Sequence, residues 1–314
     1  MRDIFSEGLL YLDLLELYGN TYTVGDICSV AQSNVFRGAT ACAKLLSLDL
    51  TKNRKTGIYS ISKNRDVQLD LRRVNQRLRV RESGQIRVLP SLALSSDLIV
   101  KASSLLLSLP PVHLSLEDRF CLLQNYIVDL VILSHHEFTA SMPWTPPEAK
   151  SELFSPCNGL VASVVGQEDF VFLASNSHAL SKISRPLVFD DFHDTEVCLL
   201  PDPVVSAWQQ SFVTSYLPST AYCFAFDLPN DFSKNVSSLF EHYFNCQRPF
   251  LTIIPSSFYN MHCLDNSLFH SLRLPTRFKP PRLTTVVVAM PSLVREPLFQ
   301  QLMKAFRDSY SIMV

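Results

Sequence analysis

The stretch TVGDICSVAQSNVFRGATACAKLL, residues 23–46, decides how the amino-terminal part of this chain is read. Val24, Ile27 and Val30 recur at steps of three, so Thr23 is placed to cap a short helix that runs to Ala31. Val35, Ala39, Cys42 and Leu46 then fall at i, i+4, i+7 and i+11, one apolar stripe on a further helix that Ser33 or Asn34 can cap. That stripe leaves Gln32, Ser33, Asn34, Arg37 and Lys44 on the outer side. Two short helices joined by a tight turn, the second opening with polar and basic side chains, form a helix-turn-helix arrangement.

Working outward, Leu9, Leu10, Leu12, Leu14, Leu15 and Leu17 make a short apolar helix that Gly19 and Asn20 end. Downstream, DLTKNRKTGIYSIS (residues 49–62) reads as a β-hairpin wing whose tip carries Lys52, Arg54 and Lys55. Charge follows the same division. Residues 1–85 hold 13 Lys/Arg against 9 Asp/Glu, a net +4, and residues 86–314 hold 15 against 20, a net −5. Within residues 33–81 the count is 12 basic against 3 acidic. Such a patch attracts phosphate backbones through counterion release, and here it coincides with the helix-turn-helix and wing. The plainer alternatives are a solvated helix face and a three-helix structural cap with a basic loop.

From Asp66 to Glu82 the pattern becomes a long glycine-free helix with Val67, Leu71, Val74 and Leu78 at alternating steps of four and three. That is a coiled-coil seam short enough to be equally a helix packed on its own domain. Arg72, Arg73, Arg77, Arg79 and Arg81 occupy its other faces and Gly84 stops it. The expected division is therefore a head at 1–65, a linker or dimerisation helix at 66–84 and a body at 85–314. In the body, short apolar runs at 86–89, 112–116, 126–133, 170–174, 197–200, 222–226, 250–254 and 283–290 read as strands. Helical stretches at 92–107, 203–216, 232–244 and 296–309 alternate with them, an α/β pattern of βαβ type. MPWTPPEAK, residues 142–150, is the clearest breaker and marks a crossing between two lobes.

Composition removes several classes. The 314 residues are 47% apolar and 18% charged, a folded composition with no apolar run near the roughly 20 residues of a membrane span. Asp3 and Glu7 stand where a secretory signal would want a basic head and an apolar run, so the expected location is the cytoplasm. The eight glycines are never closer than six positions, so neither a phosphate-binding Walker loop, nor a dinucleotide fingerprint, nor a hydrolase elbow can be drawn. The eight cysteines include no C-x-x-C pair, and of the histidines only His135 and His136 lie together, pointing apart. No metal, cofactor or catalytic role is expected, although a serine, histidine and aspartate brought together only by folding would leave no motif.

These residues resemble the LysR-type bacterial transcriptional regulators. AQSNVFR (residues 31–37) is similar to the opening of that family's recognition helix, matching at Gln32 and Arg37 with Ala31 and Phe36 where serine is usual. Ile61 and Ser62 sit where the family has Leu-Thr after the wing, while its Leu-Phe-x-Arg before the wing is absent. PPVHLSLEDRFCLLQNYIVDLVILS (110–134) looks like the strand, helix and strand of the first lobe. EDFVFLASNSHALSK (168–182) with RPLVFDDFHDTEVCLLPD (185–202) looks like the opening of the second, and LTTVVVAMPSLVREPLFQQLMKAF (283–306) like the strand and helix that return to the first.

The resemblance implies an α/β chain: a mainly α winged helix-turn-helix, a linker helix and a two-lobe Rossmann-like effector domain of periplasmic-binding-protein type. Lobe I is expected at about 85–158 and 265–314 and lobe II at about 159–264. It further implies double-stranded promoter DNA as partner, assembly as a homodimer or homotetramer through Val67, Leu71, Val74 and Leu78, and a small-molecule effector, anionic in expectation, in the cleft. Gln32, Ser33, Asn34 and Arg37 are then expected at bases and Lys52, Arg54 and Lys55 at phosphates. Clefts in such sheets lie at the carboxyl ends of strands, which places Ser91, Leu92, Ser134, His135, Pro201 and Asp202 there. Peroxide-sensing relatives use paired cysteines after the second-lobe strand. Here Cys198 lies inside that strand and the next cysteine is Cys223, so a ligand cleft is the expected sensor. The competing reading is a diverged member that keeps the fold and the oligomer but acts as an interaction protein.

Overall fold

The computed structural model describes residues 6–54, 58–90, 102, 104–109, 114–134, 153–154, 159–199, 209–210, 213–214, 217–218, 220–225, 249, 251–256, 259, 269–272 and 282–313. The head is built on α1 (Ser6–Tyr18), α2 (Thr21–Cys28) and α3 (Gln32–Leu45), followed by a hairpin of β1 (Asp49–Lys52) and β2 (Tyr59–Ser62). Leu9, Tyr11, Leu12, Leu14, Leu15 and Leu17 of α1 are all buried, more than one stripe of a helix can supply. The helix packs on α2, α3 and the wing, and its buried residues belong to a core that also includes Leu89, Leu109, Leu123, Ile127 and Val131 of the body. Close approach of α1 to α3 rests on two glycines. A Cβ at Gly8 would lie 2.7 Å from Cβ of Cys42, and one at Gly38 would lie 2.7 Å from the Tyr11 ring.

Local capping differs from the sequence expectation. Asn20, not Thr23, caps α2: its Oδ1 accepts the Thr23 N–H at 2.8 Å, so the helix begins three residues earlier. It ends at Cys28, because Ser29 turns left-handed with φ 53°. Helix α3 starts at Gln32 behind Ala31, which offers no side-chain cap, so Ser33 and Asn34 lie inside the first turn instead of capping it. The wing pairs Lys52 with Tyr59 in antiparallel register.

The linker α4 (Arg65–Leu78) continues through one wider turn, Arg79–Ser83, and stops at Gly84 with φ 61°. The body then forms two sheets. The first contains β3 (Ile86–Leu89), β4 (Leu106–Ser108), β5 (Leu130–Ser134), β6 (Leu153–Phe154), β7 (Val161–Glu168) and β13 (Leu283–Ala289) in the order β4-β3-β5-β13-β7-β6. The second contains β8 (Phe170–Ser175), β9 (Glu196–Leu199), β10 (Tyr222–Ala225), β11 (Leu251–Pro255) and β12 (Phe269–Ser271) in the order β10-β9-β11-β8-β12. Strands β3, β4 and β5 are parallel, whereas β13 runs antiparallel to both β5 and β7.

Several strand and lobe expectations are corrected. The run 161–168, absent from the expected strands, is the longest in the first sheet, which moves the lobe boundary from about 159 to Asp169. Phe269–Ser271 pairs with β8, so the second lobe extends beyond 264. Ser115 is no strand residue but the cap of α5 (Leu116–Gln124), accepting the Asp118 N–H at 3.1 Å. The strand expected from 126 begins only at Leu130, since Tyr126 has φ 58°. Leu106 and Leu107, expected at the end of a helix, belong to β4. The stretch 142–150, the helix 232–244 and most of 92–107 and 203–216 lie outside the described residues. Among the described residues no helix is long and apolar enough to cross a membrane.

The closing helix α6 (Pro297–Met313) lies on β7, where the Tyr310 ring covers Gly166 and the Tyr310 hydroxyl donates to Thr285 Oγ1 at 2.5 Å. A Cβ on Gly166 would run into that ring, and Tyr310 is buried. Gly166→Ala is expected to cost about 1–3 kcal/mol through overpacking, measured as a lower urea midpoint. An unchanged midpoint would show that α6 can lift from the sheet without loss.

Candidate nucleic-acid interface

Helix α3 buries Val35, Ala39, Cys42 and Ala43 and turns Ser33, Phe36, Arg37 and Lys44 to the surface. The expected base-reading residues are not equivalent. The Gln32 amide nitrogen donates to Thr21 Oγ1 at 2.8 Å, which ties that side chain back to α2. Arg37 folds along its own helix, with Nη2 donating to Asn34 Oδ1 at 2.6 Å and Nε to the Ser33 carbonyl at 3.3 Å. Asn34 thus positions the guanidinium, and an exposed fork of this kind is able to engage a guanine edge after modest rotation. On the wing, Lys52 and Arg54 are exposed, while Lys55 lies outside the described residues. The Lys52 ammonium stands 5.3 Å above the Tyr59 ring, whose centroid is 6.4 Å from that of the exposed Phe36. An aromatic pair therefore links α3 to the wing.

The linker helix is turned differently from the expectation. Its buried residues are Gln68, Arg72 and Gln76, while Val67, Val74 and Leu78 are 43%, 53% and 50% exposed. Leu71 packs on the core of its own chain. Arg72, placed by sequence among the outward basic residues, points inward: Nε donates to Asp13 Oδ1 at 2.6 Å and Nη2 to Glu16 Oε2 at 2.9 Å. Arg87 of β3 reaches the other oxygen of Asp13 at 2.8 Å. Asp129, just before β5, accepts Arg79 Nη2 on both oxygens at 2.6 Å, the Gln76 amide at 2.9 Å and the Arg87 backbone N–H at 2.7 Å. Arg65 adds a 2.6 Å bond to Glu16.

This junction joins head, linker and first lobe. Burial works against ionisation of Glu16, but Arg72 and Arg65 outweigh it and hold the carboxyl below its ordinary value. For Arg72 burial is likewise outweighed by Asp13 and Glu16, which raise its pKa. Arg87 is shifted down by burial and then by the neighbouring charge of Arg79, against the pull of Asp13 and Asp129. The sequence signal was available: Asp13 and Glu16 interrupt an otherwise apolar helix, and a buried carboxylate needs a cationic partner.

Of the expected effector residues, Ser134 is the last residue of β5, at the carboxyl end of a strand parallel to β3. Ser91, Leu92, His135, Pro201 and Asp202 lie outside the described residues. Strand β3 ends at Leu89 and β9 at Leu199, two residues before Ser91 and Pro201 respectively. Cys198 is fully buried within β9. The chain passes between the sheets at Asp169, whose carbonyl accepts the Ser256 N–H at 3.0 Å and whose carboxylate accepts Arg282 Nε at 2.9 Å.

No protein-family model matches the sequence, and no curated protein does. Solved structures do. A probable transcriptional regulator from Pseudomonas aeruginosa aligns with TM-score 0.56 at 12% identity, covering 96% of this chain and 95% of that one. A full-length OxyR variant from the same organism aligns with TM-score 0.51 at 12% identity over 96% and 97% of the two chains. An OxyR mutant from Corynebacterium glutamicum aligns with TM-score 0.51 at 11% identity over 100% and 93%. The likeness is one of fold and spans head, linker and both lobes: this chain has the architecture of the full-length LysR-type regulators.

Breaking the junction from one side leaves buried arginines without a counter-charge. Asp13→Asn is expected to destabilise the chain by about 3–5 kcal/mol in urea unfolding, the range for a buried pair that loses one partner. Glu16 adds a pH dependence. Its pKa is depressed on folding, so its contribution is complete above the ordinary value of 4.5 and is lost as pH falls through the lower folded value. Thermal melts from pH 6 to 3 are expected to drop less steeply for Glu16→Gln than for the wild type, and parallel curves would remove Glu16 from the account.

Proposed function

We propose that this chain is a DNA-binding transcriptional regulator of LysR type, whose head reads promoter DNA and whose two-lobe body responds to a small molecule in the cleft between the lobes. The observation that carries this reading is that Ser33, Arg37 and Lys44 of α3 and Lys52 and Arg54 of the wing are all exposed, with Phe36 of α3 and Tyr59 of the wing in ring contact, within the full-length fold. Arg37, Asn34, Ser33 and Gln32 act at base edges in a major groove, and Lys52, Arg54 and Lys55 act at phosphates. Ser91, Leu92, Ser134, His135, Pro201 and Asp202 border the effector, with Ser91 and backbone amides beside it as the polar contacts for an anionic metabolite. The role is regulatory, not enzymatic, and belongs in the cytoplasm.

Assembly follows from the same linker helix. Val67, Val74 and Leu78 lie on its exposed side, and a second copy of α4 covers them in a dimer or in each half of a tetramer. A second reading, a diverged interaction protein that no longer reads sequence, is favoured by the Gln32 amide being engaged by Thr21 and by the exposed Phe36 on the recognition helix.

Gel shifts of the full chain on its own upstream region at two salt concentrations separate the readings. Specific retention that weakens as salt rises supports regulation, and no preference over unrelated DNA supports the interaction protein. Arg37→Ala is expected to cost about 1–3 kcal/mol on the preferred site and to blunt sequence preference, whereas Lys52→Ala weakens all DNA alike and flattens the salt slope. The pair Val74→Asp and Leu78→Asp is expected to halve the mass seen by light scattering while leaving the circular dichroism unchanged, since both residues are exposed in the single chain. An unchanged mass would place the subunit interface elsewhere.

A further inference from the structure

Helix α3 presents one exposed stripe. Ser33, Phe36, Arg37, Thr40, Ala41 and Lys44 recur at i, i+3, i+4, i+7, i+8 and i+11 and are all exposed, away from the buried Val35, Ala39, Cys42 and Ala43. Phe36 is the one large apolar side chain of that stripe, and it is 47% exposed. Its ring meets Tyr59 of the wing at a centroid distance of 6.4 Å and a tilt of 51°, and the Lys52 ammonium stands 5.3 Å over the same Tyr59 ring. Phe36 thus sits between Arg37 of its own helix and a cation of the wing. Leaving a ring in water is unfavourable, so its exposure points to something that covers it when bound. Arg37, Lys44 and Lys52 around it favour a polyanion over an apolar protein face. Thr40 and Ala41 are small, which lets the helix come close to what it meets.

The floor of a DNA major groove is almost wholly polar: base edges offer donors and acceptors, and the apolar group among them is the 5-methyl of thymine. An apolar ring that gives up water there gains most against that methyl, whereas the Arg37 fork suits the acceptors of guanine. We infer that Phe36 is a specificity-determining residue that recognises the 5-methyl group of a thymine, and that Tyr59 is the positioning residue that holds its ring. The inference rests on the DNA-binding reading above and adds to it a residue and the chemical group it reads. Recognition here is by burial of a methyl group and not by hydrogen bonding, so the same methyl on a cytosine is recognised too.

The test uses the full chain and a duplex selected with it from random sequence. Each thymine of that duplex is replaced in turn by deoxyuridine, which lacks the methyl and keeps every donor and acceptor. At one position or more the replacement is expected to weaken binding by about 4-fold or more, the factor that loss of one buried methyl gives. A cytosine placed at that position is expected to bind more tightly once it carries the 5-methyl group. Phe36→Ser is expected to bind the thymine and uracil duplexes within about 1.5-fold of each other while still retarding both, and Phe36→Leu to keep the discrimination. Tyr59→Ala is expected to blunt the discrimination and Tyr59→Phe to restore it. A wild type indifferent to every thymine methyl overturns the inference without recourse to any variant, as does a cytosine that gains nothing from methylation. A folded Phe36→Ser that still prefers thymine overturns the assignment to Phe36, and full discrimination in Tyr59→Ala overturns the positioning role. A wild-type chain that selects no sequence overturns the DNA reading itself, and the methyl contact falls with it.

Discussion

The convergence of Arg72 and Arg87 on the two oxygens of Asp13 is the constraint on which the rest of the structure depends. Asp13 is 1% exposed and Asp129 not exposed at all, so neither charge is tolerable unless its partners are in place. Buried ion pairs of this kind add little to stability compared with an apolar core of equal volume. They are strict about geometry, because a displaced partner leaves a bare charge away from water. The junction therefore acts as a specification: it states which face of α4 is inside and how α1 meets β3.

The apolar core obeys that specification. The buried residues of helix α1 belong to one apolar core with residues of α3 and the wing and with body residues such as Leu89, Leu123 and Ile127. A helix in this position is shared by two units, and its close approach to α3 needs the missing side chains of Gly8 and Gly38. The head consequently gains its shape from contacts within itself and with the body, while its outer surface keeps Arg37, Lys44, Lys52 and Arg54 in water. Strands β3 and β5 extend this arrangement. Each carries a junction residue at or before its amino end, Arg87 and Asp129, and each ends close to the positions assigned to the cleft. The junction and the proposed cleft thus lie at opposite ends of one short parallel pair.

Much of this was legible in the sequence, because periodicity depends on neighbours along the chain. The stripe Val35, Ala39, Cys42 and Leu46, the basic opening of α3, the wing hairpin within residues 49–62 and the break at Gly84 follow from spacing and residue type alone. The run at 170–174 is continuously apolar, and those at 86–89 and 283–290 are interrupted only by Arg87 and by Thr284 and Thr285, the mark of strands covered on both faces. The helix starts were less legible. Asn20 competes successfully with Thr23 because its carboxamide is placed by an extended backbone, φ −142° and ψ 149°, a conformation no local pattern encodes.

Only the tertiary structure decided the orientation of α4, the membership of β7 and the fate of the arginines. Seam spacing identified Val67, Leu71, Val74 and Leu78 as one stripe but gave no information on what it faces, since helical period fixes relative direction and not absolute direction. The partners of Arg72 are 56 and 59 residues away in sequence and that of Arg79 is 50 away, so charge counting along the chain assigned to solvent what folding buries. Strand Val161–Glu168 contains Gly166, Ser163 and Gln167, and it reads as a strand only once β13 pairs with it and Tyr310 covers the glycine. Sequence determined the elements and the sign of charge on the head. The pairing of distant charges and strands determined how the head is held, because those contacts exist only after the chain has closed on itself.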